Sequence, residues 1–452
     1  MKNKRIESLY PKMDTNYSFN FQRDKSFLAI DTRAGGGHRA AMAALIALIE
    51  KVNPDAKVFR LEILHATLTP YFGKKAIRSW NRAKQEGDLE KQFKFISAKY
   101  FGLHAQKWGD LLFAPFLFFA LLYHLLIKDR SITRILDTQP FGTPAILLAV
   151  RLVNRVCTGR NLLISRVMTD PPTEEAVHFS RPVKKLGRKN RAVFELVSIC
   201  PIPQREGENG LIYIDRQEVW WQKHFNLSLK EGEVKYGPPP LRPPFFSPPD
   251  GFSLHPYGEE GARRFLFGSE ERLFLIAIGS QAAEEGTIGY VRDLIELMEE
   301  KGSFHPTLHI FAYCGGQEDF FHKLPPKNRL PENVKLYAFG EHDAEERAAL
   351  VRRADGAVYG AGGMTVLEAE YLAEGNIYLH SEAKGGELLE GFALWEKGNA
   401  KFLIENKEAQ PVTPGELFKA AMRRSSLFFD TPERLPSEEE HQEAGQQIEV
   451  PV

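Results

Sequence analysis

Four short loops in this chain carry residues whose types and spacing could do chemistry. The first is Ala34-Gly35-Gly36-Gly37-His38-Arg39, directly after the apolar run Phe27–Asp31. Gly35, Gly36 and Gly37 let the backbone turn sharply and approach a ligand closely. The Ala- and Leu-rich stretch that follows reads as a helix whose first amides and positive dipole end face an anion. His38 stands at that helix start, where an imidazole titrates in the useful range. The second loop is Met168-Thr169-Asp170, with His178 eight residues on. A carboxylate at a strand end can take a proton from a docked hydroxyl, and an Asp there can equally cap a helix or close a turn.

The third loop, Gly279-Ser280-Gln281, follows the run LFLIAI and suits a diphosphate held at a helix start. The fourth runs from Tyr359 to Glu368. In it Gly362 and Gly363 permit close approach to phosphates, Thr365 adds a hydroxyl, and Glu368 lies one turn into a helix. There it is placed to accept two hydrogen bonds from a ribose diol. The turn Lys384-Gly385-Gly386-Glu387 lies on the same side.

These loops need a scaffold, and the hydrophobic pattern supplies one. Apolar runs of strand length alternate with helix-length stretches, which implies parallel sheets with helices on their faces. In such sheets ligands sit beyond the carboxyl ends of the strands, where all four loops fall. The first half reads as strands at 27–31, 57–61, 133–139 and 161–169, with shorter ones at 195–199 and 211–214. A proline-dense stretch, YGPPPLRPPFFSPP at 236–249, then reads as a stiff connector. Beyond it the alternation restarts, with strands at 272–278, 307–313, 334–338, 356–359 and 377–380. The expected division is an N-terminal extension over 1–25, a Rossmann-like domain over 26–245 with an apolar insertion near 95–128, a second over 246–405, and a C-terminal helix with an acidic tail over 406–452.

Composition narrows the class. Lys and Arg total 59 and Asp and Glu total 59, a balance that argues against a general nucleic-acid binder. Cys157, Cys200 and Cys314 make no metal or redox spacing, so reduced thiols in a cytoplasmic protein are expected. The N-terminus has no apolar stretch of the signal-peptide kind. Leu111–Ile127, LLFAPFLFFALLYHLLI, falls just short of the roughly 20 residues a membrane span requires. It reads as a buried helix or as a surface that dips into lipid.

Taken together, several segments resemble a known group. GGGHRAA at 35–41 is similar to the N-terminal signature of monogalactosyldiacylglycerol synthases and processive diacylglycerol glucosyltransferases, and the MurG group has a related loop. LDTQPF at 136–141, VMTD at 167–170 and KYGPPPLRPPF at 235–245 resemble further landmarks of these GT-B glycosyltransferases. So do CGGQEDFFHKL at 314–324, the stretch 337–369 and WEKGNAKFL at 395–403. The resemblance implies two Rossmann-like domains facing a cleft and a metal-independent, inverting transfer from a UDP-sugar. The acceptor would be a lipid or lipid-linked molecule, reached by peripheral membrane association through Leu111–Ile127. It also implies that Phe339 and Gly340 lie by the base, that Glu368 holds the ribose, and that Gly279, Ser280, Gln281, Gly363 and Thr365 hold the diphosphate. His38 and Asp170 are both candidates for the base. The chain departs from the pattern where Glu387 and Glu390 replace amide side chains that contact the sugar, and in the acidic loop IGSQAAEEG. A transferase with a soluble acceptor, an epimerase on the same architecture and a non-catalytic nucleotide-sugar-binding module stay open.

Overall fold

The computed structural model describes residues 19, 21–22, 24–31, 36–62, 82, 114–139, 142–176, 182–203, 205, 207–266, 271–279, 283–302, 306–315, 318–340 and 342–425. The calls on Gly35, His178, Ser280, Gln281, 1–18 and the tail from 426 lie outside them, as does 95–113 of the expected insertion.

The first half opens with β1 (Ser26–Asp31), α1 (Gly36–Val52) and β2 (Lys57–Glu62). A helix described over 114–128, α2, winds its last six residues Tyr123–Lys128 as a π-helix. It leads into β3 (Arg134–Asp137), α3 (Thr143–Val156), β4 (Leu163–Val167), a single turn α4 (Arg188–Arg191), β5 (Phe194–Ser198), α5 (Gly210–Phe225) and β6 (Val234–Tyr236). The strands are all parallel and lie in the order β2-β1-β3-β4-β5-β6. Sheets covered on both faces need apolar side chains on both, which is why their strands read as runs rather than alternations. One face is closed by α1 through Met42, Leu45 and Ile49; the other by α2, α3 and α5.

An antiparallel hairpin, β7 (Phe252–Leu254) with β8 (Arg263–Phe265), introduces the second half. Then follow β9 (Arg272–Ala277), α6 (Glu284–Lys301), β10 (Leu308–Tyr313), the turn α7 (Glu318–Phe321), β11 (Val334–Phe339), α8 (Ala344–Arg353) and β12 (Gly356–Tyr359). The chain continues with α9 (Gly363–Leu372), β13 (Asn376–His380), α10 (Leu394–Lys407), β14 (Gln410–Val412) and α11 (Glu416–Arg423). Its parallel sheet has the order β11-β10-β9-β12-β13-β14. Both halves thus have a point where the strand order reverses, at β1/β3 and at β9/β12.

The structure corrects one of the expected strands. Leu211–Ile214 is the first turn of α5 and not a strand. Asn209 caps it by accepting from Ile212 N at 2.9 Å, and Tyr213, Gln217 and Trp221 bury at helical spacing. Of the described residues before 26, Phe21 is buried in the first half and Asp24 pairs with Arg134 at 2.7 Å. Residues 410–423 belong to the second half, because β14 extends its sheet and Phe418 and Met422 of α11 enter its core. Within the proline-dense connector, Leu241 and Phe245 bury in the second half's core.

Candidate functional site

The helices that follow β1 and β12 point their N-termini at one another across the crevice. A methyl built on Gly37 of α1 would lie 3.5 Å from Cγ of Met364 on α9. Ala41 of α1 is buried in the second half's core, so the two helices share apolar contact just behind their starts. Gly362 caps α9 with no side-chain bond.

Between these helix starts runs a polar relay. His38 Nδ1 lies 3.3 Å from Thr169 Oγ1, and that hydroxyl donates to Asp170 Oδ2 at 3.1 Å. Thr169 has one proton and spends it on an acceptor-only carboxylate, so it meets His38 as an acceptor. An Nδ1–H tautomer of His38 fits that arrangement. Asp170 is buried. Its Oδ1 accepts from Asn399 Nδ2 on α10 at 2.8 Å, and the same amide donates to Ala361 O at 3.0 Å. Sequence reasoning placed Thr169 in its loop and Asn399 in a matched segment but gave neither a role. Asn399 sits in WEKGNAKFL with no Gly-rich turn beside it to draw notice. Gly363 is required here by close approach: a Cβ on it would meet Asp170 Oδ1 at 2.5 Å.

Glu368 is buried, and both its oxygens already have partners. Arg347 Nε of α8 donates to Oε2 at 2.8 Å, and Arg242 Nη2, from the segment linking the halves, stands 3.3 Å from Oε1. Burial acts to lower the Arg347 pKa, yet the adjoining carboxylate holds it above the usual arginine value. Tyr359 Oη is buried with no partner among the described residues, and desolvation pushes its pKa up. In this arrangement a diol reaching Oε1 would displace Arg242.

Phe339 ends β11 and Gly340 follows it. Phe339 is buried, packed edge-on against His342 at 5.2 Å and near Tyr313 at 5.6 Å. The Tyr257 hydroxyl lies over Gly340 and donates to Gly315 O at 2.7 Å. Burial, then Arg347, lowers the His342 pKa to about 3, so this ring is neutral. Gly279 turns with φ 76°, and Gly360 packs against its backbone, which joins the ends of β9 and β12. Thr365 is half-buried in the first turn of α9. Glu387 is exposed on its turn and lies apart from these contacts. The acidic residues that depart from the pattern are partly engaged: Glu284 with Lys323 at 2.5 Å and Glu390 with Lys397 at 2.6 Å. The three thiols are free, and burial pushes Cys200 up to about 11 and Cys314 up to about 12. Among the described residues no cluster of His, Cys, Asp and Glu is arranged to hold a metal.

Two parallel Rossmann-like sheets with their strand ends turned to a shared crevice are the GT-B architecture. No family model matches the chain, and neither does any curated protein. Among solved structures it is similar to MurG of Acinetobacter baumannii, at 12% identity and TM-score 0.41 over 88% of each chain. It is also similar to Phytolacca americana UGT2 complexed with UDP-2fluoro-glucose and pterostilbene, at 10% identity and TM-score 0.45 over 89% of this chain and 91% of that one. A third is a putative UDP-N-acetylglucosamine 2-epimerase from Listeria monocytogenes, at 12% identity and TM-score 0.38 over 95% and 100%. Likenesses of this size carry no argument about chemistry, and the architecture rests on the two strand orders themselves.

Proposed function

We propose that the protein is an inverting glycosyltransferase that moves a hexose or N-acetylhexosamine from a UDP-sugar to a lipid or lipid-linked acceptor. The observation that carries this reading is the convergence of the two helix starts on the His38–Thr169–Asp170 relay. A hydroxyl acceptor in the crevice gives its proton to His38 Nε2 as its oxygen attacks the anomeric carbon. The bond from that carbon to the diphosphate oxygen breaks, and UDP departs. Its growing negative charge is met by the opening amides and dipole of α9, a role a divalent metal plays elsewhere. Asp170 orients the imidazole through Thr169 and stabilises the imidazolium that forms. The base and ribose go to the aromatic corner of Phe339, Tyr313 and His342 and to Glu368, with Arg242 yielding its place.

Calorimetric titration of the folded protein with UDP, ADP and GDP tests the donor half of this reading. The expected result is UDP-selective binding weakened at least about 10-fold by Glu368→Gln, the loss of one charged hydrogen bond. No binding of any nucleotide at millimolar concentration would sink the proposal. It would also turn the protein into a GT-B module without a donor.

A further inference from the structure

A cavity of about 490 Å³ lies between the two halves, and no residue of the His38 relay or of the Phe339 corner lines it. Its first-half wall is built from residues 172–175, from Ile199 and Cys200 after β5, and from Trp220 of α5. Its second-half wall is α9 and α10, at Leu367, Tyr371 and Phe402. Leu367 precedes Glu368 on α9, and Phe402 lies one turn after Asn399 on α10. The cavity therefore borders the same two helices that meet the first half at Asp170. A volume of this size suits a small organic molecule, and the wall selects its charge.

Four carboxylates line the cavity, Glu174, Glu175, Glu370 and Glu405, against the one ammonium of Lys401, a surplus of three negative charges. Lys401 is already paired with Glu175 across the halves. Glu174 faces His224 Nε2 at 3.5 Å, and burial lowers the pKa of that imidazole, so the ring is neutral near pH 7. Such a wall repels a phosphate, a nucleotide or a fatty-acid carboxylate. Beside the carboxylates stand the rings of Trp220, Tyr371 and Phe402. Trp220 lies against His224 at 4.8 Å, and Phe246 of the connector meets Tyr371 edge-on at 5.2 Å, so both rings are held in place from behind. An aromatic face and a carboxylate side by side are the surroundings that favour an organic ammonium.

We infer that this cavity is a second binding site, for a small aromatic amine whose ring packs among Trp220, Tyr371 and Phe402 while its ammonium meets the surplus carboxylates. Desolvation of the ring and pairing of the charge both favour entry. Because the walls belong to both halves, an occupant holds α9 and α10 against the first half. It binds this arrangement and not a separated one, and so stabilises it. The inference goes beyond the proposed activity and does not depend on it.

Calorimetric titration of the full chain with tryptamine, tryptophol and indole-3-acetate tests it, since the three share a ring and differ in charge. With no nucleotide present, tryptamine should bind at least about 10-fold more tightly than tryptophol, and indole-3-acetate should not bind. Added salt should weaken the tryptamine complex. Glu174→Gln with Glu405→Gln, both exposed positions, should bring tryptamine down to the affinity of tryptophol. Phe402→Leu should weaken tryptamine and tryptophol alike, with circular dichroism reporting that the fold is kept. If the leucine variant misfolds, the glutamine pair alone decides. No tryptamine binding at millimolar concentration, equal binding of all three compounds, or an affinity untouched by the glutamine pair overturns the inference. So does displacement of tryptamine by UDP, which would put the amine in the crevice. UDP binding that fails while tryptamine binding holds would remove the transferase reading and leave this cavity site in place.

Discussion

Gly363→Ala sets two opposed effects against each other, and the sign of the result decides between them. Gly363 is the first residue of α9, in ordinary helical backbone. Taken alone, a helical Gly→Ala change stabilises by up to about 1 kcal/mol. In this fold the new methyl meets Asp170 Oδ1 at 2.5 Å, and a backbone oxygen of Thr169 as well. Overpacking of that kind costs about 1–3 kcal/mol. If the crevice widens to relieve it, the Asp170–Asn399 bond is lost too, at about 1.5–3 kcal/mol for a charged hydrogen bond. Clash and lost bond together outweigh the helix gain. At about 2–4 °C per kcal/mol for a unit of this size, the melting temperature should fall by several degrees. Gly210→Ala is the matched control: it is also the first residue of a helix, and nothing lies within 4 Å of its methyl. It should be neutral or stabilising. Differential scanning calorimetry reads both, and small-angle scattering reads any widening of the molecule. A Gly363→Ala protein that melts at or above the wild-type temperature, as Gly210→Ala should, would refute the contact between the halves at this helix start.

Three further outcomes follow from the same geometry. Asp137→Asn should destabilise by about 3–5 kcal/mol in urea, because it leaves Arg166 charged and fully buried after removing the carboxylate 2.5 Å away; a loss under about 1 kcal/mol would mean the guanidinium is satisfied elsewhere. Neutral His342 is held with its pKa lowered to about 3, so between that value and 6.5 the unfolded chain binds the extra proton. Stability should therefore decline as pH falls from 6.5 toward 3, with a slope below about 1.4 kcal/mol per pH unit because part of the ring still meets solvent. His342→Phe should flatten that decline, and a slope unchanged by the substitution would assign it to the carboxylates. Thr169→Val should lower kcat by about 10²-fold with KM little changed, while Thr169→Ser keeps the relay and most of the rate. Nitrogen chemical shifts of His38 should show the Nδ1–H form in the wild type and lose that preference in the valine variant; a valine variant with full activity would break the relay.

Much of this was legible in the residues alone. Runs such as LFLIAI and GAVY announce buried parallel strands because both faces must be apolar, and α8 and β12 fall where the pattern puts them. The glycines at 36–37 and 362–363 mark helix starts at strand ends, and at Gly363 the approach of Asp170 leaves no room for a Cβ. LIYI at 211–214 misled because two exposed apolar residues in the first turn of a helix mimic a strand run.

What the sequence by itself determined, then, is local: which segments are strands, which helices follow them, and which turns are built for close approach. These follow from periodicity and backbone sterics within a few residues. Only the tertiary structure decided which distant groups meet. Asp170 and Asn399 are 229 positions apart, and Arg242 and Glu368 are 126 apart. No spacing rule reaches so far, because the first pairing depends on how two sheets lean on each other and the second on where the linking segment packs. The outer surface of α2, α3 and α4 is the same case: its aromatics and its cations come from separate segments, and only the packing of these helices on one sheet makes them a single surface.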